Sequence, residues 1–218
     1  MRKKFTLTFA KNVKELTKGI FGNVTFQEIF IWSTRLTLDP AALLSSKDRL
    51  EDVSIMSSAM DEFPFHILPQ LTKLKRLDLT GNLLKRVPAL ASPKYNTMSG
   101  FPPGLVEGMR NLTHFDASGC NLGLILPKGS LTFQGEVLSV VSLKRNEIVN
   151  LERGAITVNG LHMTSSRMYL PISYAVLIVI RIQALKKVPV GTLTLHGPVE
   201  LRVQHPPGNT ASTVHGII

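Results

Sequence analysis

The stretch LKRLDLTGNLL, residues 74–84, carries apolar residues at its first, fourth, sixth and eleventh positions and an asparagine at its ninth. These positions hold Leu74, Leu77, Leu79, Leu84 and Asn82. Because strand side chains alternate between two faces, positions 4 and 6 point to the same side of a short strand. A small polar residue at position 9 can bond backbone groups where the chain turns away. The stretch predicts a strand-and-turn unit whose apolar side needs a neighbour.

The same pattern recurs on both sides of this stretch, with units that begin near residues 26, 50, 74, 112 and 138. We interpret their ninth positions as a ladder of side chains that bond backbone groups of successive units, namely Thr34, Ser58, Asn82, Cys120 and Asn146. The one long step between units is explained by a loop inserted at about residues 88–100, where Ser, Pro, Asn and Gly accumulate.

This spacing resembles the leucine-rich repeat family, whose repeats are about 20–29 residues long and share the same arrangement of leucines and asparagine. The resemblance covers residues 26–160. It implies an α/β solenoid shaped as a short horseshoe, with a parallel β-sheet on the concave face. The convex side is expected to hold irregular, 3-10 or short helical segments.

Three stretches are more particular: NVTFQEIFIWSTRL at residues 23–36, LEDVSIMSSAMDEFPF at 50–65 and LKRLDLTGNLLKRVPAL at 74–90, and LERGAI follows at 151–156. With Trp32 and the Phe63-Pro64 pair, they are similar to arthropod extracellular leucine-rich repeat proteins related to the non-catalytic subunit of shrimp luciferin monooxygenase. This resemblance implies a secreted, non-enzymatic protein that associates with other proteins.

The two ends differ from the repeats in charge. Residues 1–25 carry +5, residues 26–160 carry +1 and residues 161–218 carry +4 of the total of +10. The excess lies outside the repeats, so it does not favour a nucleic-acid-binding face. We expect residues 1–25 to be a basic capping segment containing an amphipathic helix through Val13, Leu16 and Ile20. We expect residues 161–218 to be a degenerate repeat with a partly disordered tail.

Neither end has the pattern of a typical secretory signal or membrane span. The apolar stretch after the basic start is short and stops at Lys11, although the family resemblance implies an extracellular location. The basic start also fits, less well, a mitochondrial presequence. The strongly apolar stretch between Arg167 and Arg181 has 13 residues, contains Pro171 and is shorter than the about 20 residues that cross a bilayer.

Positions 3, 5 and 7 of each unit are expected to face the concave surface. Phe30, Trp32 and Met56 should lie together there, and such side chains are enriched at the centres of interfaces. The alternative is that these rings lie under the N-terminal segment. The candidate protein-binding residues are Phe30, Trp32, Met56, Arg76, Asp78, His114, Asp116 and Lys144.

No catalytic, metal or cofactor site is predicted. Cys120 occupies a ladder position and has no recognisable base, so a structural role is favoured over a nucleophilic one. Asp78 and Asp116 fall at equivalent positions of neighbouring strands, where pairing with Arg76 or His114 is favoured over catalysis or ion binding. Asn23 and Asn111 begin glycosylation sequons, which matter only in the secretory pathway.

The sequence therefore predicts a non-enzymatic module that binds another protein through its concave face. In its more specific form, the module is an accessory, non-catalytic subunit of an extracellular complex. The alternative is a fragment of a membrane-associated leucine-rich repeat receptor whose residues 168–182 interact with lipid. Nucleic acid is not an expected partner, and membrane contact is not favoured.

Overall fold

A computed structural model describes residues 3–84, 105–123, 125–135, 137–148 and 150–159, and the backbone of four later strands. The strands are β1 (Lys4–Thr8), β2 (Glu15–Leu16), β3 (Glu28–Trp32), β4 (Thr37–Leu38), β5 (Asp52–Met56), β6 (Arg76–Asp78), β7 (His114–Asp116), β8 (Ile125–Leu126), β9 (Leu131–Phe133), β10 (Val140–Ser142), β11 (Asn150–Leu151), β12 (Ile156–Val158), β13 (Val176–Arg181), β14 (Leu193–Leu195), β15 (Val199–Gln204) and β16 (Thr213–Gly216).

The main sheet follows the repeats. Within the described part of the chain it has nine strands in the order β1-β3-β5-β6-β7-β10-β13-β15-β16. All neighbours are parallel except β15 and β16, which are antiparallel. The register places Lys4, Glu28, Asp52 and Arg76 side by side on successive strands. The predicted leucine-rich-repeat-like solenoid is thereby confirmed.

The convex side carries short elements. A helix, α1, spans Pro40–Leu44, and the Oδ1 atom of Asp39 caps it by accepting the N–H of Ala41 at 2.8 Å. A 3-10 helix spans Phe65–Gln70. Small parallel sheets join β2 to β4, β8 to β11, and β12 to both β9 and β14. These elements cover the side of the core opposite the main sheet.

Positions 4 and 6 of the repeats form the core. At these positions every side chain is at most 1% exposed: Ile29, Ile31, Val53, Ile55, Leu77, Leu79, Phe115, Ala117, Val141 and Leu143. Burying one side chain of this size contributes about 1.5–3 kcal/mol. Because the strands are stacked in register, each repeat covers the apolar groups of the next.

Asn82 shows how the ladder positions join repeats. Its Nδ2 donates to the carbonyl oxygens of Ile55 and Leu79, both at 2.7 Å. Its Oδ1 accepts the N–H groups of Ser58 and Met60, both at 3.2 Å. Asn146 makes the equivalent four bonds in the repeat that contains β10. One fully buried amide therefore satisfies four backbone groups spread over two repeats.

The shorter ladder side chains make fewer bonds. The N–H of Thr34 donates to Ser58 Oγ at 3.3 Å, and Ser58 Oγ donates to the Met56 carbonyl at 2.9 Å. The thiol of Cys120 donates to the Leu79 carbonyl at 2.9 Å. All five ladder residues are at most 2% exposed.

The residue before each ladder position has a positive φ, a feature that the spacing of apolar residues does not reveal. The angles are 48° at Ser33, 49° at Ser57, 72° at Gly81, 62° at Gly119 and 56° at Arg145. Left-handed backbone favours glycine. At Gly81 a Cβ would also lie 3.1 Å from Ser57 Oγ, so this turn has little space for a side chain.

The expected N-terminal helix through Val13, Leu16 and Ile20 is wrong. Instead, residues 4–8 form the strand β1, which pairs in parallel with β3. Each residue of β1 lies beside the residue 24 positions later in the sequence, and Leu16 lies in β2. The alternation in KFTLT, residues 4–8, places Phe5 and Leu7 on the core side. This period of two is the period of a strand and not of a helix. The division into residues 1–25, 26–160 and 161–218 stays a prediction.

The last part of the chain is described only as strands. β13 and β15 continue the main sheet beyond residue 160, where the repeat pattern fades in the sequence. The inserted loop expected at about residues 88–100, and residues 168–175 of the apolar stretch, lie outside the described residues. Among the residues that the structure describes, no helix is long and apolar enough to cross a bilayer.

We predict that Asn82→Ala lowers the free energy of unfolding by about 3 kcal/mol or more, because four buried backbone groups lose their partner. Urea unfolding, followed by circular dichroism and by the fluorescence of Trp32, measures the change. The control is Asn111→Ala, which removes a single bond from an exposed side chain and should cost less than about 1 kcal/mol. Equal losses in the two variants would contradict the role given to the ladder.

Candidate functional site

The concave face is formed by positions 3, 5 and 7 of the main-sheet strands. The register pairs Trp32 with Met56, and places Phe30 two residues before Trp32 on the same strand. The charged candidates follow on the next strands: Arg76 and Asp78 on β6, His114 and Asp116 on β7, and Lys144 after β10. The structure therefore brings the eight candidates onto one surface, with the aromatic residues at its N-terminal end and the charged residues beyond them.

The aromatic end also includes a residue from the first coil. We call Phe9, Phe30, Trp32 and Met56 the aromatic patch. Phe9 is 60% exposed and Trp32 is 41% exposed, and their ring centroids lie 4.8 Å apart in an edge-on arrangement. Lys4 Nζ lies 4.9 Å from the centroid of the Phe30 ring. The N-terminal coil thus contacts both rings and leaves a large part of Trp32 open to solvent.

Sequence reasoning missed Phe9 and Lys4 as members of this surface. It assigned residues 1–25 to a helical cap, in which neither side chain has a defined place beside Trp32. The available signal was the alternation of residues 4–8 together with the 24-residue step from Lys4 to Glu28. That step equals the one between the next two repeats.

Two carboxylates occupy equivalent positions at the centre of the face. Asp78 is 5% exposed, and its Oδ2 lies 3.0 Å from the Arg76 guanidinium. Its Oδ1 accepts the N–H of Thr80 at 3.1 Å, and Asp116 Oδ1 accepts the N–H of Ser118 at 2.8 Å. Both carboxylates therefore hold the turn that ends their own strand. These contacts support a structural use of the pair.

His114 lies next to Arg76 on the neighbouring strand. Partial burial, the positive charge of Arg76 and, in the opposite direction, Asp52 act on His114, and together they lower the pKa of its ring below 6.5. Its Nδ1 lies 2.8 Å from Thr113 Oγ1. The lowered pKa favours the neutral ring, and the positive charge of Arg76 lies beside it on the neighbouring strand.

Cys120 lies beneath the sheet and not on its surface. Burial raises the pKa of its thiol to about 12, and the thiol donates to the Leu79 carbonyl at 2.9 Å. A thiol with this pKa is protonated at neutral pH and is a poor nucleophile. Among the described residues no group of three or more His, Cys, Asp or Glu side chains is placed to hold a metal ion.

The two sequons lie at different places on the surface. Asn23 is exposed in a turn that precedes β3. Asn111 is also exposed, and its Nδ2 donates to the Thr72 carbonyl at 2.7 Å. Modification of either asparagine stays a prediction.

Comparison with known proteins gives one informative relative. The chain is 28% identical over 171 residues to the Oplophorus-luciferin 2-monooxygenase non-catalytic subunit of Oplophorus gracilirostris. The match covers 74% of this chain and 47% of that protein, so the chain spans about half the length of the curated relative. No protein-family model matches the sequence. The relative is named as non-catalytic, which agrees with a non-enzymatic accessory role.

We predict that Cys120 of the folded protein does not react with a disulfide thiol reagent at pH 8, because its thiol is protonated and buried. After unfolding in guanidinium, one thiol per chain should react. Thr72→Cys provides the control, since residue 72 is exposed and the new thiol should react at once in the folded protein. Rapid labelling of the folded wild-type chain would show that Cys120 is accessible and activated.

Proposed function

We propose that this protein is a non-catalytic accessory protein that binds another protein through the concave face of its solenoid, with the aromatic patch as the main contact. In its finer form, the proposal makes it an accessory subunit of an extracellular complex. The named role of the Oplophorus relative supports this form.

The exposure of Phe9 and Trp32 is the observation that carries the proposal. Two large aromatic side chains that stay this open beside each other, one just after β1 and one on β3, resemble the anchors that dominate binding energy at protein interfaces. Solvent exposure of both rings costs free energy that a partner would recover by covering them.

The backbone of Phe9 has the conformation that the other repeats show at the residue before the ladder position. Its φ is 53°, in the left-handed region where bulky residues are rare. A glycine would relieve this strain, which costs of the order of 1–3 kcal/mol. Because Ser33 and Ser57 have the same backbone at equivalent turns, the turn accounts for this conformation, and the proposal rests on the exposed side chain that stands there.

The charged centre of the face is proposed to orient the partner. Arg76 is paired with Asp78, and Asp116 is half-buried beside them. With the aromatic patch as the main contact, these charged residues lie at the rim of the proposed interface. Charges at a rim contribute more to orientation and to the rate of association than to affinity. His114, Lys144 and Met56 complete this surface.

The receptor alternative has less support. Residues 176–181 of the apolar stretch form β13, which pairs with β10 on one side and β15 on the other. A strand with neighbours on both sides already has partners for its backbone groups. Lipid contact therefore has no specific observation in its favour.

We expect Phe30→Ala with Trp32→Ala to reduce capture of the partner at least tenfold, because two of the three rings of the aromatic patch are lost. The immobilised protein is incubated with extract of its native source, and captured proteins are quantified by mass spectrometry. The matched control is Ile125→Ala with Val137→Ala, which removes two side chains that are 44% and 50% exposed elsewhere on the surface.

Two results would contradict the proposal. One is equal capture by both double variants. The other is a large loss of stability in the Phe30 and Trp32 variant under urea, which would show that the rings serve the fold and lie under the N-terminal segment.

The extracellular location has its own test. We expect protein isolated from its native source to carry an N-linked glycan at Asn23, because this side chain is exposed in a turn. Intact-mass measurement before and after peptide N-glycosidase treatment detects it, and the Asn23→Gln variant is the control. Unmodified Asn23 and Asn111 in the native protein would argue against passage through the secretory pathway.

A further inference from the structure

An open cleft of about 380 Å³ lies along the edge of the main sheet at which the strands begin. Three of its lining residues directly precede strands: Gln27 precedes β3, Glu51 precedes β5 and Lys75 precedes β6. The N–H of Glu51 donates to the Gln27 carbonyl, and the N–H of Lys75 donates to the Glu51 carbonyl, both at 2.8 Å. These bonds align the three residues in one row with the spacing of paired strands, about 4.8 Å.

A second row of lining residues lies two positions earlier in each repeat. It holds Arg49, Lys73 and Asn111. Leu50 and Leu74, which separate the two rows in the sequence, are at most 1% exposed. Because extended residues alternate between two sides, both rows face away from the core. The cleft is therefore lined by side chains from four successive repeats, in positions that the stacking of the repeats fixes.

The charges in the cleft are unevenly compensated. The Nζ of Lys75 lies 2.9 Å from Glu51 Oε2, and the Oδ1 of Asp48 lies 3.0 Å from the lysine that precedes it in the sequence. In the part of the chain that the structure describes, neither Arg49 nor Lys73 forms an ion pair. These two side chains therefore present positive charge to a ligand in the cleft.

The remaining lining groups suit hydroxyl groups. Asn111 Nδ2 donates to the Thr72 carbonyl at 2.7 Å, which holds this side chain against the preceding repeat. Gln27 is half-buried on the other side of the cleft. A carboxamide has both N–H donors and an oxygen acceptor, and the carboxylate of Asp48 is an acceptor. The cleft thus combines two cations with neutral and acidic groups that can bind hydroxyls.

We propose that this cleft is a binding site for a sugar that carries a sulfate or phosphate ester. The ester oxygens bind the guanidinium of Arg49, which can donate two parallel hydrogen bonds, and the ammonium of Lys73. The sugar hydroxyls bind the carboxamides of Gln27 and Asn111 and the carboxylate of Asp48. The volume of the cleft lies within the range of small-molecule sites, about 300–1,000 Å³.

An acidic peptide or a nucleic acid fits the cleft less well. Both carry closely spaced negative charges, about one per 1.7 Å along duplex DNA. Such charges would meet Asp48 and Glu51 in the same cleft, and like charges brought together reduce affinity. A sugar ester concentrates its charge at one group and presents neutral hydroxyls elsewhere. Its distribution of charge therefore matches that of the lining residues.

The test is a nuclear magnetic resonance titration of the ¹⁵N-labelled full chain with glucose 6-sulfate and, separately, with glucose 6-phosphate. It is carried out at low salt, because salt screens exposed charges. We expect saturable shifts of the backbone N–H signals of Arg49, Lys73 and Asn111. Glucose alone and the corresponding inorganic anion should each bind at least fivefold more weakly, since each makes only part of the contacts. The ester that binds more tightly identifies the ligand as sulfated or phosphorylated.

A double variant tests the two cations. Arg49→Ala with Lys73→Ala should weaken binding of the ester at least tenfold, because both charge-assisted contacts are lost. The matched control is Lys128→Ala with Arg153→Ala, which removes the same charge from two exposed residues that do not line the cleft. Its affinity should be unchanged. All four side chains are exposed, so circular dichroism should show the wild-type fold in both variants.

A single variant separates recognition of the sugar from attraction of an anion. Gln27→Ala should weaken binding of the ester about fivefold, because it removes a contact to a hydroxyl. Binding of the inorganic anion should stay at the wild-type level, since the charges of Arg49 and Lys73 are kept.

Several results would overturn the proposal. They are absence of binding by both esters, equal affinity for an ester and its inorganic anion, and equal weakening by the two double variants. A glutamate-rich octapeptide or an oligonucleotide that shifts the same signals at lower concentration would also overturn it. The Phe30 and Trp32 double variant should bind the ester normally, so failure of the concave contact and failure of this site are distinguishable.

Discussion

The structure depends on the four hydrogen bonds made by a buried amide such as that of Asn82. At the end of every strand the chain turns away from the sheet inside the apolar core, and this turn leaves backbone N–H and C=O groups without a partner. Water cannot reach them, so each unpaired group would cost about 1–3 kcal/mol. One asparagine satisfies two carbonyls and two N–H groups over two repeats. Stacking of the apolar residues is possible because this cost is removed.

The same bonds fix the register of the sheet and the surface that it presents. Because Asn82 binds backbone groups of its own repeat and of the one before, equivalent residues must lie side by side on successive strands. Phe30, Ser54 and Asp78 consequently form one row on the concave face, and Trp32 lies beside Met56. The positions of the side chains on the concave face are therefore set by the buried hydrogen bonds of Asn82, which lie beneath that face.

The amount that could be predicted from the sequence follows from this arrangement. Strands β3, β5, β6, β7 and β10 were predictable, because positions 4, 6 and 9 each carry a residue chosen by burial or by hydrogen bonding. β1 was not recognised, since Ala10 stands at its ninth position and has no side-chain polar group. Thr34 Oγ1 from the next repeat accepts the N–H of Ala10 at 3.1 Å. Because the side chain that satisfies this turn belongs to the next repeat, the sequence of residues 4–10 has no polar residue at the ladder position by which the repeat could be recognised.

The placement of Phe9 follows from the same missed strand, and it shows why the site was harder to predict than the fold. In the interior, groups capable of chemistry are already engaged: Asp78 holds Arg76 and its own turn, and Cys120 is a buried hydrogen-bond donor. On the concave surface of the described residues, by contrast, the rings of Phe9 and Trp32 stay open. Because the buried groups of stacked repeats satisfy one another, a binding role is best supported at these exposed rings. That is also where the repeat signature is weakest.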